Sequence, residues 1–93
     1  MGVTDTDIAT MIKNAGLRAT RQRHEVLELI FQTPDTPMSI DELCEQLPAG
    51  FDRVTAYRIV NSFAERGLLE KVSHLSNTLK VVLSPSLRNE HQH

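Results

Sequence analysis

Apolar residues recur along this chain with two different periods, and the change of period divides it. Ile8, Met11, Ile12 and Ala15 repeat at helical spacing, which predicts a first helix from about Asp5 to Ala15, with Thr4 as its N-cap and Gly16 as its stop. Leu17 follows as the apolar residue that packs back over such a stop. "RATRQR" begins a second helix with Thr20 as N-cap and Val26, Leu27, Ile30 and Phe31 as its buried side, ended by "TPDTP". "SIDELCEQL" opens a third with a capping box, Ser39 and Glu42 at S-x-x-E spacing, ahead of Leu43, Cys44 and Leu47; "PAG" ends it. Asp52 caps a fourth helix that runs to Arg66, and Gly67 closes it. Beyond Gly67 the period shortens. "LLEKVSH" and "TLKVVLS" are rich in branched apolar residues and flank "LSNT", which has turn composition, so the pattern predicts a β-hairpin ended by Pro85. "SLRNEHQH" reads as a polar tail.

Two short helices joined by a tight "PAGF" turn and followed directly by a two-stranded ribbon spell a winged helix-turn-helix. The expected fold is mainly α with a small β-hairpin, four helices followed by a two-stranded wing over residues 1–84, with 85–93 as tail or the start of a hinge. In that architecture the second helix of the pair, here Asp52 to Arg66, is the one presented to a DNA major groove. On it Ala56, Val60, Phe63 and Ala64 share a core face, while Thr55, Arg58 and Ser62 point the other way and Tyr57 stands at the edge. Arginine can pair with guanine O6 and N7 or clamp a phosphate, and a tyrosine ring can lie against a thymine methyl. Base edges meet the N-terminal turns of such a helix, which makes Arg53, Thr55, Tyr57 and Arg58 the candidate major-groove residues and leaves Ser62 less well placed. The plainer reading is a solvated face on which Arg58 pairs with Glu65 or Glu28 and Tyr57 is half core.

Composition changes this picture in two places. The 93 residues, 40% hydrophobic and 24% charged, suit one domain with a modest core, but the net charge of −2 runs against nucleic-acid binding. Distribution outweighs the sum. Arg18, Arg21 and Arg23 crowd the start of the second helix, where backbone N–H groups already favour an anion, so Thr20, Arg21 and Arg23 are the candidate phosphate contacts. Asp5, Asp7, Asp35, Asp41, Glu42 and Glu45 lie in other segments, as in a domain that is acidic on its back and basic where it docks. No apolar run is long enough to span a bilayer, and the N-terminus is acidic where a secretory signal would be basic, which places the chain in the cytoplasm. The lone Cys44 forbids an internal disulfide or a thiolate metal cage and reads as a core residue. With no glycine-rich phosphate loop, no Cys with a partner His and no placed pair of carboxylates, the sequence points away from an enzyme.

"GLRATRQR", "VTAYRIVNSFAERGLL" and the closing "NEHQH" resemble the amino-terminal half of the ferric uptake regulator family, bacterial metal-responsive repressors that bind DNA as dimers. The resemblance covers Gly16 to His93, and the family's Thr, any residue, Tyr, Arg pattern stands here as Thr55, Ala56, Tyr57 and Arg58. It implies that Tyr57 and Arg58 meet the major groove of double-stranded DNA, that Arg18 enters the adjoining minor groove, and that Arg23 clamps a phosphate. A minor-groove arginine makes physical sense, since narrow A·T-rich grooves concentrate negative potential, and the implied operator is an A·T-rich palindrome.

In that family a dimerising and metal-sensing domain follows the His-x-His. The resemblance thus implies either the DNA-binding piece of a longer homodimeric repressor, the favoured reading, or a shortened member that has lost its sensor. These residues are expected to be monomeric alone and without their own cofactor, zinc or iron entering in a longer parent. His91 and His93 are the candidate metal ligands. Two further ligands expected by resemblance are absent, the positions falling on Pro37 or Met38 and on Val82 or Val81. His24 on the second helix faces phosphate or solvent, and His74 sits at the hairpin tip. Two other functions fit parts of the sequence: a winged-helix protein-interaction module, suited to the acidic net charge, and a metal-buffering module built on the histidine tail.

Overall fold

Each helix in the computed structural model, which describes residues 5–33, 36–48, 51–72, 79–85 and 87, starts or stops on a local signal. The helices are α1 (Asp5–Asn14), α2 (Arg21–Gln32), α3 (Ile40–Gln46) and α4 (Arg53–Glu65); the strands are β1 (Met38–Ser39), β2 (Leu69–Val72) and β3 (Lys80–Leu83). Thr20, Ser39 and Asp52 cap α2, α3 and α4, each side chain accepting the backbone N–H three residues on. Around Ser39 the capping box is complete, with the Ser39 N–H donating to Glu42 Oε1 at 2.8 Å and the Glu42 N–H donating to Ser39 Oγ at 3.1 Å. Thr4, expected to cap α1, lies outside the described residues.

The stops after α1 and α4 are built alike. Gly16 and Gly67 take φ of 85° and 84°, which a side chain would strain. In each case the glycine N–H and the next residue's N–H reach back into the last turn: Gly16 to Lys13 and Leu17 to Ile12, Gly67 to Ala64 and Leu68 to Phe63. Leu68 is buried and Leu17 packs on the core, so each stop also folds an apolar side chain inward.

Packing joins the helices into one core. Ile8, Ile12, Val26, Leu27, Ile30, Leu43, Val60 and Phe63 are buried, and burial of such a side chain contributes about 1.5–3 kcal/mol. Met11, Ala15, Phe31 and Cys44, read as core from the sequence, pack on this cluster from a half-buried position. So does Leu87, in the stretch read as a polar tail.

The wing differs from the expected two-stranded ribbon. It is a three-stranded antiparallel sheet in the order β1-β3-β2, because Met38 and Ser39 pair with Val81 and Lys80. Two residues carry no period, so the extra strand has no signature in the pattern; it forms because it covers the free edge of β3 and buries Met38. β3 is therefore central, and Val81, Val82 and Leu83 are all buried. β2 and β3 are shorter than the apolar runs suggested, Leu68 being taken by the helix stop. The hairpin tip with His74 lies outside the described residues.

Candidate nucleic-acid interface

Burying Ala56, Ile59, Val60 and Phe63 fixes the rotation of α4 and turns Val54, Tyr57 and Arg58 outward. Tyr57 is 46% exposed, which decides against its being half core. Among the described residues no ion pair joins Arg58 to Glu28 or Glu65, so the solvated-pair reading of that arginine has no support. Thr55 and Ser62 are half-buried.

Arg58 stands between two open clefts. On one side Ile40, Arg53, Val54 and Tyr57 line a space of about 390 Å³ with it; on the other, Thr20, Gln22 and Arg23 of the α2 start face Thr55 and Ile59 across about 330 Å³. The fold thus brings Thr20, Arg23, Thr55 and Arg58 to a shared wall, although they come from two segments. Arg23 is also braced: its Nη1 donates to the Arg18 carbonyl at 2.9 Å, fixing the loop ahead of α2 and leaving the rest of the fork available. Arg18 itself is exposed. Arg21 does not line that wall; its side chain is exposed at the same helix start, with its Nε 3.6 Å from Glu25 Oε1, a weak pair one turn along the helix that an anion can replace.

The two helix starts differ in charge. At α4 the Asp52 carboxyl is held below its usual range, first by the Thr55 backbone N–H at 2.7 Å, then by the Thr55 side chain, with a smaller contribution from the Arg58 charge; desolvation opposes these. A carboxylate therefore already occupies the N-terminus of α4, and an incoming anion there must be met by side chains. The start of α2 has a neutral cap, Thr20, and no acidic residue in its first turn. Its backbone dipole and Arg23 act in the same direction on an anion.

Two contacts and one exposed residue had no place in the sequence reading. Asp41, assigned to the acidic back, reaches from α3 to Arg53, Oδ1 to Nη1 at 2.9 Å. Both side chains are well exposed, 63% and 70%, so the pair contributes at most about 1 kcal/mol and Arg53 can exchange it for another anion. Lys71 of β2 donates to the Asn61 side chain, tying the wing to α4. Val54, which carries no charge or hydroxyl, was passed over although it is 57% exposed; its four-residue spacing from Arg58, opposite Ala56 and Val60, was the available signal.

Among the described residues no group of three or more His, Cys, Asp or Glu side chains is arranged to hold a metal ion, and Cys44 is a free, half-buried thiol. His91 and His93 lie outside the described residues.

The family model for the ferric uptake regulator family matches residues 14–93, nearly the whole chain. The chain belongs to this family. This ferric uptake regulator domain is 29% identical over 91 residues to the ferric uptake regulation protein of Shigella flexneri, covering 95% of the chain and 60% of that protein. The ferric uptake regulator of Vibrio cholerae superposes with a TM-score of 0.76 at 26% identity, over 82% of this chain and 60% of that one. The Pseudomonas aeruginosa regulator, whose structure contains manganese, gives 0.74 at 25% identity over 83% and 60%. The chain thus spans about 60% of the length of these relatives. These likenesses agree with the winged-helix architecture of the domain.

Proposed function

We propose that this chain binds duplex DNA sequence-specifically and serves transcriptional regulation, without catalysing a reaction, as the DNA-binding part of a metal-responsive repressor. The observation that carries the reading is the position of Arg58. It stands between an apolar cleft on α4 and a cationic cleft against α2, so one helix can enter a major groove while the α2 start meets the bordering phosphates. Arg53, Thr55, Tyr57 and Arg58 face the base edges, Arg18 reaches the adjoining minor groove, and Thr20, Arg21 and Arg23 meet the backbone. Exposure of Arg58 and Tyr57, the neutral cap of α2 and family membership support these roles. The partner is an A·T-rich palindromic operator. Dimerisation and metal response belong to the longer protein in which such a domain works.

An operator selected from random duplexes provides the test. Arg58→Ala and Tyr57→Ala should fold normally yet lose preference for it over a scrambled duplex, by about 1–3 kcal/mol per base contact removed. Equal losses on both duplexes would show that the pair positions the protein and reads nothing. Binding that is insensitive to salt would instead favour a protein-docking role for the same face.

A further inference from the structure

Val54 is 57% exposed at the N-terminal turn of α4, the largest exposure of any large apolar side chain described. Its surroundings are unlike an ordinary solvated helix face. Beside it lie Tyr57 and the edge of Ile40, and the space they bound exposes far more carbon than polar atoms. Arg53 and Arg58 form its rim. An apolar floor between two guanidinium groups suits a guest that is apolar at its centre and offers hydrogen-bond acceptors at its margins.

In a major groove that description singles out one chemical group. Guanine presents two acceptors there, cytosine a donor and adenine one of each; thymine alone adds a methyl group, at C5. A valine can make no hydrogen bond, so against any of the polar edges it would only displace water from them. Against a thymine methyl it gains apolar contact, with the acceptors of neighbouring base edges left for the flanking arginines. Resting on the DNA-binding reading above, we propose that Val54 reads a thymine C5-methyl group and so sets the requirement for thymine at one base pair of the operator. The Asp41–Arg53 pair fits this role: it holds one of the two guanidinium groups toward α3, at the edge of the apolar floor.

Replacing thymine by uracil, one position at a time, removes the methyl group and keeps the O4 acceptor and the phosphates. Fluorescence anisotropy of the whole chain on such duplexes should find a position where uracil weakens binding about fourfold, the equivalent of ~0.8 kcal/mol for one buried carbon. Val54→Ala should bind the thymine and uracil duplexes alike at that position, with its salt dependence unchanged. Val54→Thr, of similar shape but with a hydroxyl in place of one of the two methyl groups, should discriminate less than the wild type and more than Val54→Ala, through the methyl it keeps. An exposed position makes misfolding of either variant a minor concern, and a melting curve checks it. The proposal falls if the wild type treats uracil as thymine throughout. It also falls if discrimination survives in Val54→Ala and disappears in Tyr57→Ala, which would give the methyl to the tyrosine. Salt-sensitive, sequence-selective binding without methyl discrimination would sink the role of Val54 and leave the DNA reading standing; absence of duplex binding would sink both.

Discussion

Replacing Arg23 by alanine separates two roles that the structure superimposes on one side chain. One guanidinium N–H is committed to the Arg18 carbonyl, and the remaining donors face the cleft shared with Thr55 and Arg58. The internal bond is exposed, so its loss belongs at the lower end of the 0.5–1.5 kcal/mol that such bonds contribute, or a few degrees in melting temperature for a domain of this size. The phosphate contact has a different signature. Each neutralised phosphate contributes about 0.9 to the slope of log affinity against log salt, so over a fourfold rise in salt the wild type should lose about 3.5-fold more affinity than the variant. Anisotropy titrations on one duplex at several salt concentrations measure the slope, and circular dichroism measures the melt. Arg23→Lys should restore the slope, because the charge returns, without restoring the fork. A lower melting temperature with an unchanged slope would refute the phosphate role and leave Arg23 as a brace for the loop before α2.

Gly67→Ala should cost about 1–2 kcal/mol in urea unfolding, a backbone effect alone, since an added Cβ meets nothing within 4 Å; unchanged stability would contradict the left-handed stop. Gly16→Ala should cost a similar amount, because the atom its Cβ approaches, Arg66 Nη1 at 3.3 Å, is the mobile end of a side chain. Acid should weaken the helix starts. Asp52 is held low by the Thr55 backbone N–H and Glu42 by that of Ser39, so both bind protons more tightly when unfolded. Their contributions are complete above the ordinary carboxylate range and fade as pH falls through the lower folded values, below about pH 4. Melting temperature followed from neutral pH to about pH 3 should fall less steeply in Asp52→Asn/Glu42→Gln than in the wild type; parallel curves would show that the caps do not govern acid stability.

How much of this was legible in the chain depends on how locally each feature is encoded. Helix starts and stops need only a few neighbouring residues, so Ser39 with Glu42, Asp52 ahead of Thr55 and Gly67 before Leu68 were all readable. β1 was not, because two residues have no period and their partner strand is remote in sequence. Within the candidate interface the charged and hydroxyl residues drew attention by their chemistry, whereas Val54 could be found only by asking which apolar residue falls opposite the core. The Asp41–Arg53 pair depends on how α3 meets α4, a tertiary fact that neither helix carries alone. Likewise the shared wall of Thr20, Arg23, Thr55 and Arg58 exists only once α2 and α4 are packed.

β1, the shortest element, closes a long span of chain. Met38 and Val81 are separated by all of α3, α4 and β2, so their pairing must overcome a loop-closure entropy that the helices do not face. Ser39 belongs to both sides of this closure: it starts α3 through its hydroxyl and pairs in the sheet with Lys80. During synthesis the helix pair can therefore emerge from the ribosome with its caps made, while the first residue before α3 still lacks its strand partner. Only after Lys80 and Val81 leave the exit tunnel can the sheet take its final register. Translation of β3 thus sets the earliest moment at which the helix pair is held in its finished frame.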